Sequence, residues 1–258
     1  MHTRKILLAV LLTTLYASAH AVDGEILITQ AKALAGNVAP GDDPGFPVTI
    51  SQPGKYKLAG SLTVPEGTHG VQITSDMVTL DLNGFTIQGP VTCTGFGGNQ
   101  QCSASDRAAV TATGKIGVHV RNGTIRGFRW GIYPLGDSGL AEDLLLMDIS
   151  STAVLAGSGS IVRGNRMYRV GMGIHSGGLV LNNTTFGAKS SGIASWYGGL
   201  VIGNQTHYTG NVGIVGYEQG DAALVHNAAS VDGGSYNGIY GGQSLGSNTS
   251  NFCEGNLC

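Results

Sequence analysis

The sequence has few charged residues for its length. Asp, Glu, Lys and Arg make up 12% of the chain, whereas about 25% is usual in globular proteins. Disordered chains combine a high net charge with low hydrophobicity, but 41% of these residues are hydrophobic. The composition therefore excludes disorder. With 43 glycines, it favours a folded chain with short strands and many tight turns.

The sequence also lacks an apolar run long enough to cross a membrane. Its longest mostly apolar run covers residues 6–15, whereas a spanning helix needs about 20 residues. Arg4 and Lys5 precede this run, and Ala19-His20-Ala21 follows it. That order is typical of a secretory signal peptide. We expect residues 1–21 to be cleaved, leaving a secreted or periplasmic protein with no membrane span.

The chain also has no excess of basic over acidic residues. Removing Arg4 and Lys5 from the 14 basic residues leaves 12 against 16 acidic ones, a net charge of −4. Nucleic acids and anionic membranes attract proteins with clustered positive charge. The charge balance therefore argues against both as general partners.

Cysteines are few and lie in two close pairs: Cys93 with Cys102, and Cys253 with Cys258. Because exported proteins fold in an oxidising compartment, we expect one disulfide within each pair. The alternative is a zinc site. However, the spacings do not match the usual paired ligand motifs, and no histidine lies beside either pair. The sequence predicts no metal and no cofactor.

Two short sequence motifs, Gly-Ile and a preceding asparagine, recur along the chain at matching intervals. Gly-Ile begins at positions 131, 173, 192, 213 and 238, in steps of 42, 19, 21 and 25 residues. An asparagine precedes each Gly-Ile by 8 to 11 residues. Two motifs that recur with the same spacing indicate a repeat of about 21 residues. The asparagines are Asn122, Asn165, Asn183, Asn204 and Asn227.

A repeat of this length is typical of leucine-rich repeats and of β-helix coils. These units lack a recurrent leucine pattern and have no room for a helix, whereas short β-prone runs alternate with Gly, Asn and Ser. The sequence predicts an all-β, single-stranded, right-handed parallel β-helix of about eight coils. Like residues should stack, with Asn83 joining the asparagine row. The inward aliphatic row is Ile132, Val154, Ile174, Ile193, Ile214 and Ile239.

We expect a single domain with capped ends. The β-helix should cover residues 48–242, and residues 91–115 break its rhythm as a disulfide-tied insertion. Residues 22–47 should form an N-terminal cap with a short helix at 27–35, and residues 243–258 a C-terminal cap. Caps keep open coil ends from pairing with other chains, so we expect a monomer.

Two segments and the asparagine row resemble a known family of proteins. The segments are PGKYKLAGSLTV (53–64) and VTLDLNGFTI (78–87). The chain resembles secreted right-handed β-helix proteins of the pectate-lyase-like superfamily, in particular those with repeats of the carbohydrate-binding and sugar-hydrolase type. The likeness covers roughly residues 48–242. It implies the fold and a polysaccharide partner, but a fold does not determine an activity.

The catalytic motifs of that superfamily are missing from the sequence. Neither the Arg-x-Pro-x-x-Arg motif of pectate lyases nor the Gly-His-Gly and Arg-Ile-Lys motifs of polygalacturonases occurs, and the Asp-Pro-His-His-Asp of alginate epimerases is absent. An aspartate pair occurs only at Asp42-Asp43, before the first predicted coil. We therefore expect binding of a polysaccharide without catalysis. A lyase or hydrolase acting on an acidic polymer, and a protein-binding surface module, stay open as alternatives.

Six of the eight arginines lie between positions 121 and 169. Arg126 and Arg169 each follow an asparagine of the row by four places, which predicts one outer face with their backbones ~10 Å apart. Planar guanidinium groups suit the carboxylates of an acidic polysaccharide. The alternative is a solvated basic strip balanced by acidic neighbours.

Aromatic residues cluster around the Gly-Ile strands and the turns after them. Outward rings suit stacking on sugar rings, and packing against neighbouring loops is the alternative. An unfamiliar active site could involve Arg126, Arg169, Tyr133 or His175, or a carboxyl pair of Glu218 and Asp221. The aromatic set is Trp130, Tyr133, Trp196, Tyr197, Tyr217, Tyr236 and Tyr240.

Overall fold

The computed structural model describes residues 24–196, 198–217, 222–231, 238–244 and 247–250. Within these ranges the chain is a parallel β-solenoid of about nine turns with almost no helix. The predicted fold class is confirmed, with about one turn more than expected. The predicted Cys253–Cys258 disulfide, Tyr197, Tyr236, Glu218 and Asp221 lie outside the described residues.

Each turn of the solenoid contributes to three strand faces, which we number by their order within one full turn, such as β3, β4 and β5. Three strands bend around corners and serve two or three faces: β11 (His119–Phe128), β13 (Leu140–Ala156) and β15 (Arg166–Ser176). Face 1 also has β1 (Ile26–Ile28), β3 (Gly54–Leu58), β6 (Val78–Asp81), β14 (Ile161–Arg163), β16 (Leu179–Leu181), β19 (Leu200–Ile202), β22 (Ala223–Val225) and β25 (Gln243–Ser244). Face 2 also has β4 (Leu62–Thr63), β7 (Thr86–Gln88), β17 (Thr184–Ala188), β20 (Gln205–Thr209), β23 (Ala228–Val231) and β26 (Thr249–Ser250). Face 3 also has β2 (Val48–Ile50), β5 (Val71–Ile73), β10 (Ala108–Thr111), β12 (Trp130–Leu135), β18 (Ile193–Ser195), β21 (Ile214–Gly216) and β24 (Ile239–Tyr240).

A ladder of nine aliphatic side chains runs along the inside of face 3. Each member pairs with the next across a parallel strand pair, and all are fully buried. Burying a Val or Ile side chain contributes about 1.5–3 kcal/mol, so the ladder is a main source of core stability. The predicted ladder from Ile132 to Ile239 is confirmed, and Val48, Val71 and Val110 extend it upstream.

A second ladder, of asparagines, runs along the corner between faces 1 and 2. The Oδ1 of Asn183 accepts hydrogen bonds from the backbone nitrogen of Asn165 at 2.9 Å and from its Nδ2 at 3.0 Å. The Nδ2 of Asn183 donates to the carbonyl oxygen of Val162 at 2.9 Å. This pattern repeats at the next three coils, so the amides of Asn183, Asn204 and Asn227 each link their own coil to both neighbours. The members are Asn165, Asn183, Asn204, Asn227 and Asn248.

Two predicted members, Asn83 and Asn122, do not belong to this ladder. Both adopt the left-handed backbone conformation, with φ of 51° and 58°, which asparagine tolerates better than most residues. In the coil of Asn122, Gly123 occupies the ladder position. Only glycine fits there, because a Cβ at residue 123 would lie 2.4 Å from the Cβ of Leu82. The Nδ2 of Asn122 instead donates to Asp81 at 3.1 Å.

The insertion is shorter than predicted. Cys93 and Cys102 form a disulfide across a short antiparallel hairpin of β8 (Cys93–Thr94) and β9 (Gln101–Cys102), with a 3₁₀ turn at Gly97–Asn99 between the strands. This confirms the first predicted disulfide. Residues 108–111, predicted within the insertion, form β10 and supply the buried Val110 of the face 3 ladder.

The ends of the described chain also continue the solenoid. Strand β1 pairs in parallel with β3, and the helix α1 (Gln30–Ala35) follows it, with Thr29 accepting a hydrogen bond from the Lys32 nitrogen at 3.2 Å. At the other end, β25 and β26 pair with β22 and β23. Residues 243–244 and 249–250, predicted as part of a separate cap, thus extend two faces of the solenoid.

In the described part of the chain, no helix combines the length and the apolar character that a membrane crossing needs.

The asparagine ladder generates a stability prediction. Asn204→Ala would leave the buried backbone nitrogen of Asn183 without its acceptor at 2.8 Å. We expect the free energy of unfolding to fall by about 2–3 kcal/mol. Gln205→Ala, at the exposed neighbouring position, should change it by less than about 0.5 kcal/mol. Urea denaturation followed by circular dichroism measures both. Equal midpoints for the two variants would show that the ladder contributes little.

Candidate functional site

A cleft of about 510 Å³ opens at the corner where face 3 ends. Successive turns leaving β12, β13 and β15 form its length, and Trp196 closes one end. The walls are mostly apolar, with Leu135, Leu155 and Ile116 among the lining residues. Lys115 and Asp137 are the charged groups in the lining. The site is thus a largely apolar groove with two opposite charges among its lining residues.

His175 and Trp196 form the aromatic end of this cleft. The strand register aligns His175 with Ala194 in the next coil, and Ala194 is fully buried. A small residue at that position leaves space for the Trp196 ring, whose centroid lies 3.7 Å from that of His175. Tyr217, one coil later, meets Trp196 edge to face at 5.7 Å. The three rings form a continuous surface, which we call the aromatic shelf (His175, Trp196 and Tyr217).

The rings of the shelf are partly open to solvent. Trp196 is 36% exposed and Tyr217 46% exposed, whereas large aromatic side chains are usually well buried. The backbone nitrogen of Tyr217 donates to the carbonyl of Ser195 at 3.0 Å, so coil-to-coil pairing positions the backbone that carries its ring. The shelf is therefore a preformed, exposed aromatic surface beside an apolar groove.

His175 is neutral at ordinary pH. Burial lowers its pKa from 6.5 to about 4, because a low-dielectric environment disfavours the charged imidazolium. Its Nε2 is buried and has no hydrogen-bond partner within the described chain. A neutral imidazole with an unpartnered ring nitrogen can exchange one hydrogen bond with a ligand that enters the cleft.

The other predicted aromatic residues lie outside this cleft. Trp130 and Tyr133 stack on each other at 4.4 Å, on face 3 three coils before Trp196. Tyr133 is 37% exposed, and Tyr240 is half-buried at the far end of the same face. The structure therefore divides the predicted set into a shelf at one cleft and a separate stacked pair.

The predicted pairing of Arg126 with Arg169 is wrong in register. Arg126 aligns with Met147 and, through it, with Tyr168, so Arg169 lies one residue further along, in the left-handed conformation with φ of 55°. Both arginines contact the buried Asp148, at 3.4 Å and 2.5 Å. Their charges are thus directed to an internal carboxylate.

The sequence did not reveal two further polar clusters. Glu142 accepts from His119 at 2.8 Å and from Arg163 at 2.7 Å. Burial raises the pKa of Glu142, but the Arg163 hydrogen bond and the His119 contact together lower it below its ordinary value. A small cleft of about 280 Å³ lies beside this network, with Asp81 bound to Arg121 at 3.0 Å. These charges pair across coils on face 1, which only the strand register could reveal.

An aromatic cluster under the hairpin was also missed. Phe96 of the hairpin packs edge to face against Tyr168 at 5.0 Å and Phe186 at 5.3 Å, and Tyr208 contacts Phe186 at 5.1 Å. The strand register aligns Tyr168 with Phe186 on face 2. The cluster holds the disulfide hairpin against the solenoid.

In the ranges that the structure describes, no three His, Cys, Asp or Glu side chains converge in a group that could hold a metal ion. Comparison of the chain with protein-family models, curated proteins and solved structures finds no match.

The environment of His175 predicts a pH-dependent stability. The unfolded histidine binds a proton near pH 6.5, whereas the folded one binds it only near pH 4. The stability contribution is therefore complete above pH 6.5 and is lost as the pH falls from 6.5 towards 4. At pH 5 we expect the wild type to have lost about 1–2 kcal/mol through this group.

Urea denaturation between pH 7.5 and 5 of the wild type and of His175→Phe measures this effect. The difference between the two should shift in favour of the variant as the pH falls. His226→Asn removes an exposed histidine and serves as the control. Parallel pH curves for wild type and His175→Phe would contradict a buried neutral imidazole.

Proposed function

We propose that this protein is an exported, monomeric β-helix that binds a polysaccharide without cleaving it. The observation that carries the proposal is the exposed aromatic shelf beside a cleft of about 510 Å³. Carbon-bound hydrogens give sugar rings apolar faces, and exposed aromatic rings offer matching surfaces for them. An exposed apolar surface of this kind indicates an interaction site.

The shape of the site favours an extended ligand. Parallel coils rise ~4.8 Å each, so residues from successive coils present a regular row along the solenoid axis. The cleft is lined by turns from several successive coils. A polymer of repeating sugar units therefore suits the groove better than a small compact molecule.

The likeness of PGKYKLAGSLTV and VTLDLNGFTI to the pectate-lyase-like superfamily supports the same proposal. The solenoid architecture is consistent with membership, which we include in the proposal. The Cys93–Cys102 disulfide supports export, because structural disulfides persist in oxidising compartments. We accordingly propose that residues 1–21 act as a signal peptide and that the mature protein is secreted or periplasmic.

The binding proposal generates a prediction for two rings of the shelf. Trp196→Ala and Tyr217→Ala should each weaken binding to the best oligosaccharide found on a glycan array by about five- to tenfold. Both rings are partly exposed, so the melting temperature should fall by only a few degrees. Isothermal titration calorimetry and thermal melting provide the two measurements.

Tyr208→Asn removes a tyrosine that is 55% exposed on face 2, outside the cleft, and should leave binding unchanged. Asparagine accepts the left-handed backbone conformation of this position, where φ is 54°. A fall of more than about 10 °C in melting temperature for Trp196→Ala or Tyr217→Ala would place that ring in the packed interior. Such a result would contradict its role as a binding surface.

The same array distinguishes the enzyme alternative. Release of reducing or unsaturated sugars from uronate polymers would replace the binding proposal with a lyase or hydrolase. Binding to no glycan at all would favour a protein-binding surface module.

A further inference from the structure

A second cleft lies at the opposite edge of face 3, beneath the disulfide hairpin. Its solenoid wall includes Ser150, Ser151 and Lys189, and its hairpin wall includes Gln100 and Ser103. The volume under the hairpin is about 350 Å³, and a neighbouring hollow of about 510 Å³ shares the same solenoid residues and continues along the corner. The two together form one groove, which we call the hairpin groove.

The charges in the hairpin groove are positive. Arg129 and Lys189 are its charged lining residues, both are exposed, and the described lining contains no carboxylate. Within the described ranges, no carboxylate forms an ion pair with either side chain. In contrast, Arg121, Arg126 and Arg163 each pair with a carboxylate across coils. The groove therefore concentrates positive charge that no carboxylate of the described residues neutralises.

The guanidinium group of Arg129 is held in place by an aromatic stack. Its central carbon lies 4.3 Å from the centroid of the Trp130 ring, and Trp130 stacks in turn on Tyr133 at 4.4 Å. Stacking on a ring leaves the edge of the guanidinium plane directed sideways, where its N–H groups can donate to a planar or tetrahedral anion. The stacked pair thus orients a charged donor at one end of the groove.

Gln100 provides an acceptor in the hairpin wall. Its side chain is 1% exposed, its Nε2 faces the sulfur atoms of Cys93 at 3.7 Å and Cys102 at 3.0 Å, and its Oε1 has no described hydrogen-bond partner. A buried acceptor without a partner is costly, and a ligand hydroxyl would satisfy it. The groove thus suits a ligand with both anionic groups and hydroxyl groups.

The spacing of Arg129 and Lys189 along the solenoid favours an extended ligand. Backbone hydrogen bonds connect Arg129 to Ser151, and the same corner continues through Gly171 to Ser190, the neighbour of Lys189. Arg129 and Lys189 therefore lie three coils apart, ~14 Å along the axis at ~4.8 Å per coil. The two backbones lie far enough apart for a chain with repeated charges to place one charged group at each side chain.

We propose that the hairpin groove binds an acidic saccharide chain, with sulfate or carboxylate groups at Arg129 and Lys189 and a hydroxyl group at Gln100. This inference rests on the proposed function for the saccharide nature of the ligand. It adds the charge of the ligand and a second contact surface. The site also replaces Arg126 and Arg169, whose charges are directed to Asp148, as the place where anionic groups bind.

The test is a calorimetric titration of the mature protein with three hexasaccharides of matched length: neutral, uronate and sulfated. At least one acidic ligand should bind about tenfold more tightly than the neutral one, and added salt should weaken its binding. Arg129→Gln and Lys189→Gln should each reduce the affinity for the acidic ligand by about tenfold and leave the affinity for the neutral ligand unchanged. The preferred acidic ligand identifies sulfate or carboxylate as the recognised group.

Arg166→Gln is the matched control, because Arg166 is exposed on face 2, is paired with no described carboxylate and does not line the groove. It should leave both affinities unchanged. Equal affinities for neutral and acidic ligands, or an equal loss in Arg166→Gln, would overturn the groove proposal while leaving saccharide binding intact. Binding to none of the three would overturn both. Tighter binding to a short single-stranded RNA would overturn the saccharide assignment.

Discussion

The parallel hydrogen bonding between successive coils determines every other feature of this protein. A coil cannot satisfy its own backbone N–H and C=O groups, so each strand depends on the coil before and the coil after it. This dependence sets one register for the whole stack, because a slip by one residue would turn buried side chains outward. The aliphatic ladder of face 3 and the asparagine ladder both enforce that register. The first does so through burial, and the second through amides that bridge neighbouring coils.

The same register decides which outer side chains meet. His175 and Trp196 are 21 residues apart in sequence, yet their rings lie 3.7 Å apart because their strands are adjacent rungs. Arg126 and Arg169 converge on Asp148 for the same reason. A stacked solenoid therefore brings together side chains that are distant in sequence without a long loop or a hinge. The cost is that any substitution that shifts one coil alters the contacts of its neighbours.

The repeat could be predicted from the sequence because Gly-Ile and asparagine mark the buried positions directly. The place of Val110 in the face 3 ladder was missed, because Ala108–Thr111 contains neither Gly-Ile nor asparagine and follows the cysteine hairpin. The register of Arg126 and Arg169 was missed for a different reason. It depends on whether the ladder position after the corner holds an asparagine, as at Asn165, or a glycine, as at Gly123. That choice depends on the space beside Leu82, which periodicity alone does not describe.

Charge pairing separates the structural cations from those available to a ligand. Arg121, Arg163 and Arg169 contact carboxylates that are themselves nearly buried, and removing either partner would leave an uncompensated charge inside the stack. Such residues are constrained by the fold and cannot also change partners freely.

Arg129 and Lys189 have no such constraint among the described residues, since the hairpin wall opposite them is built from amide and hydroxyl side chains. The hairpin thus encloses a positive groove without neutralising it. On the opposite edge of face 3, the cleft beside Trp196 is mainly apolar, so the two edges of this face differ in chemistry, with aromatic rings along one and positive charge along the other.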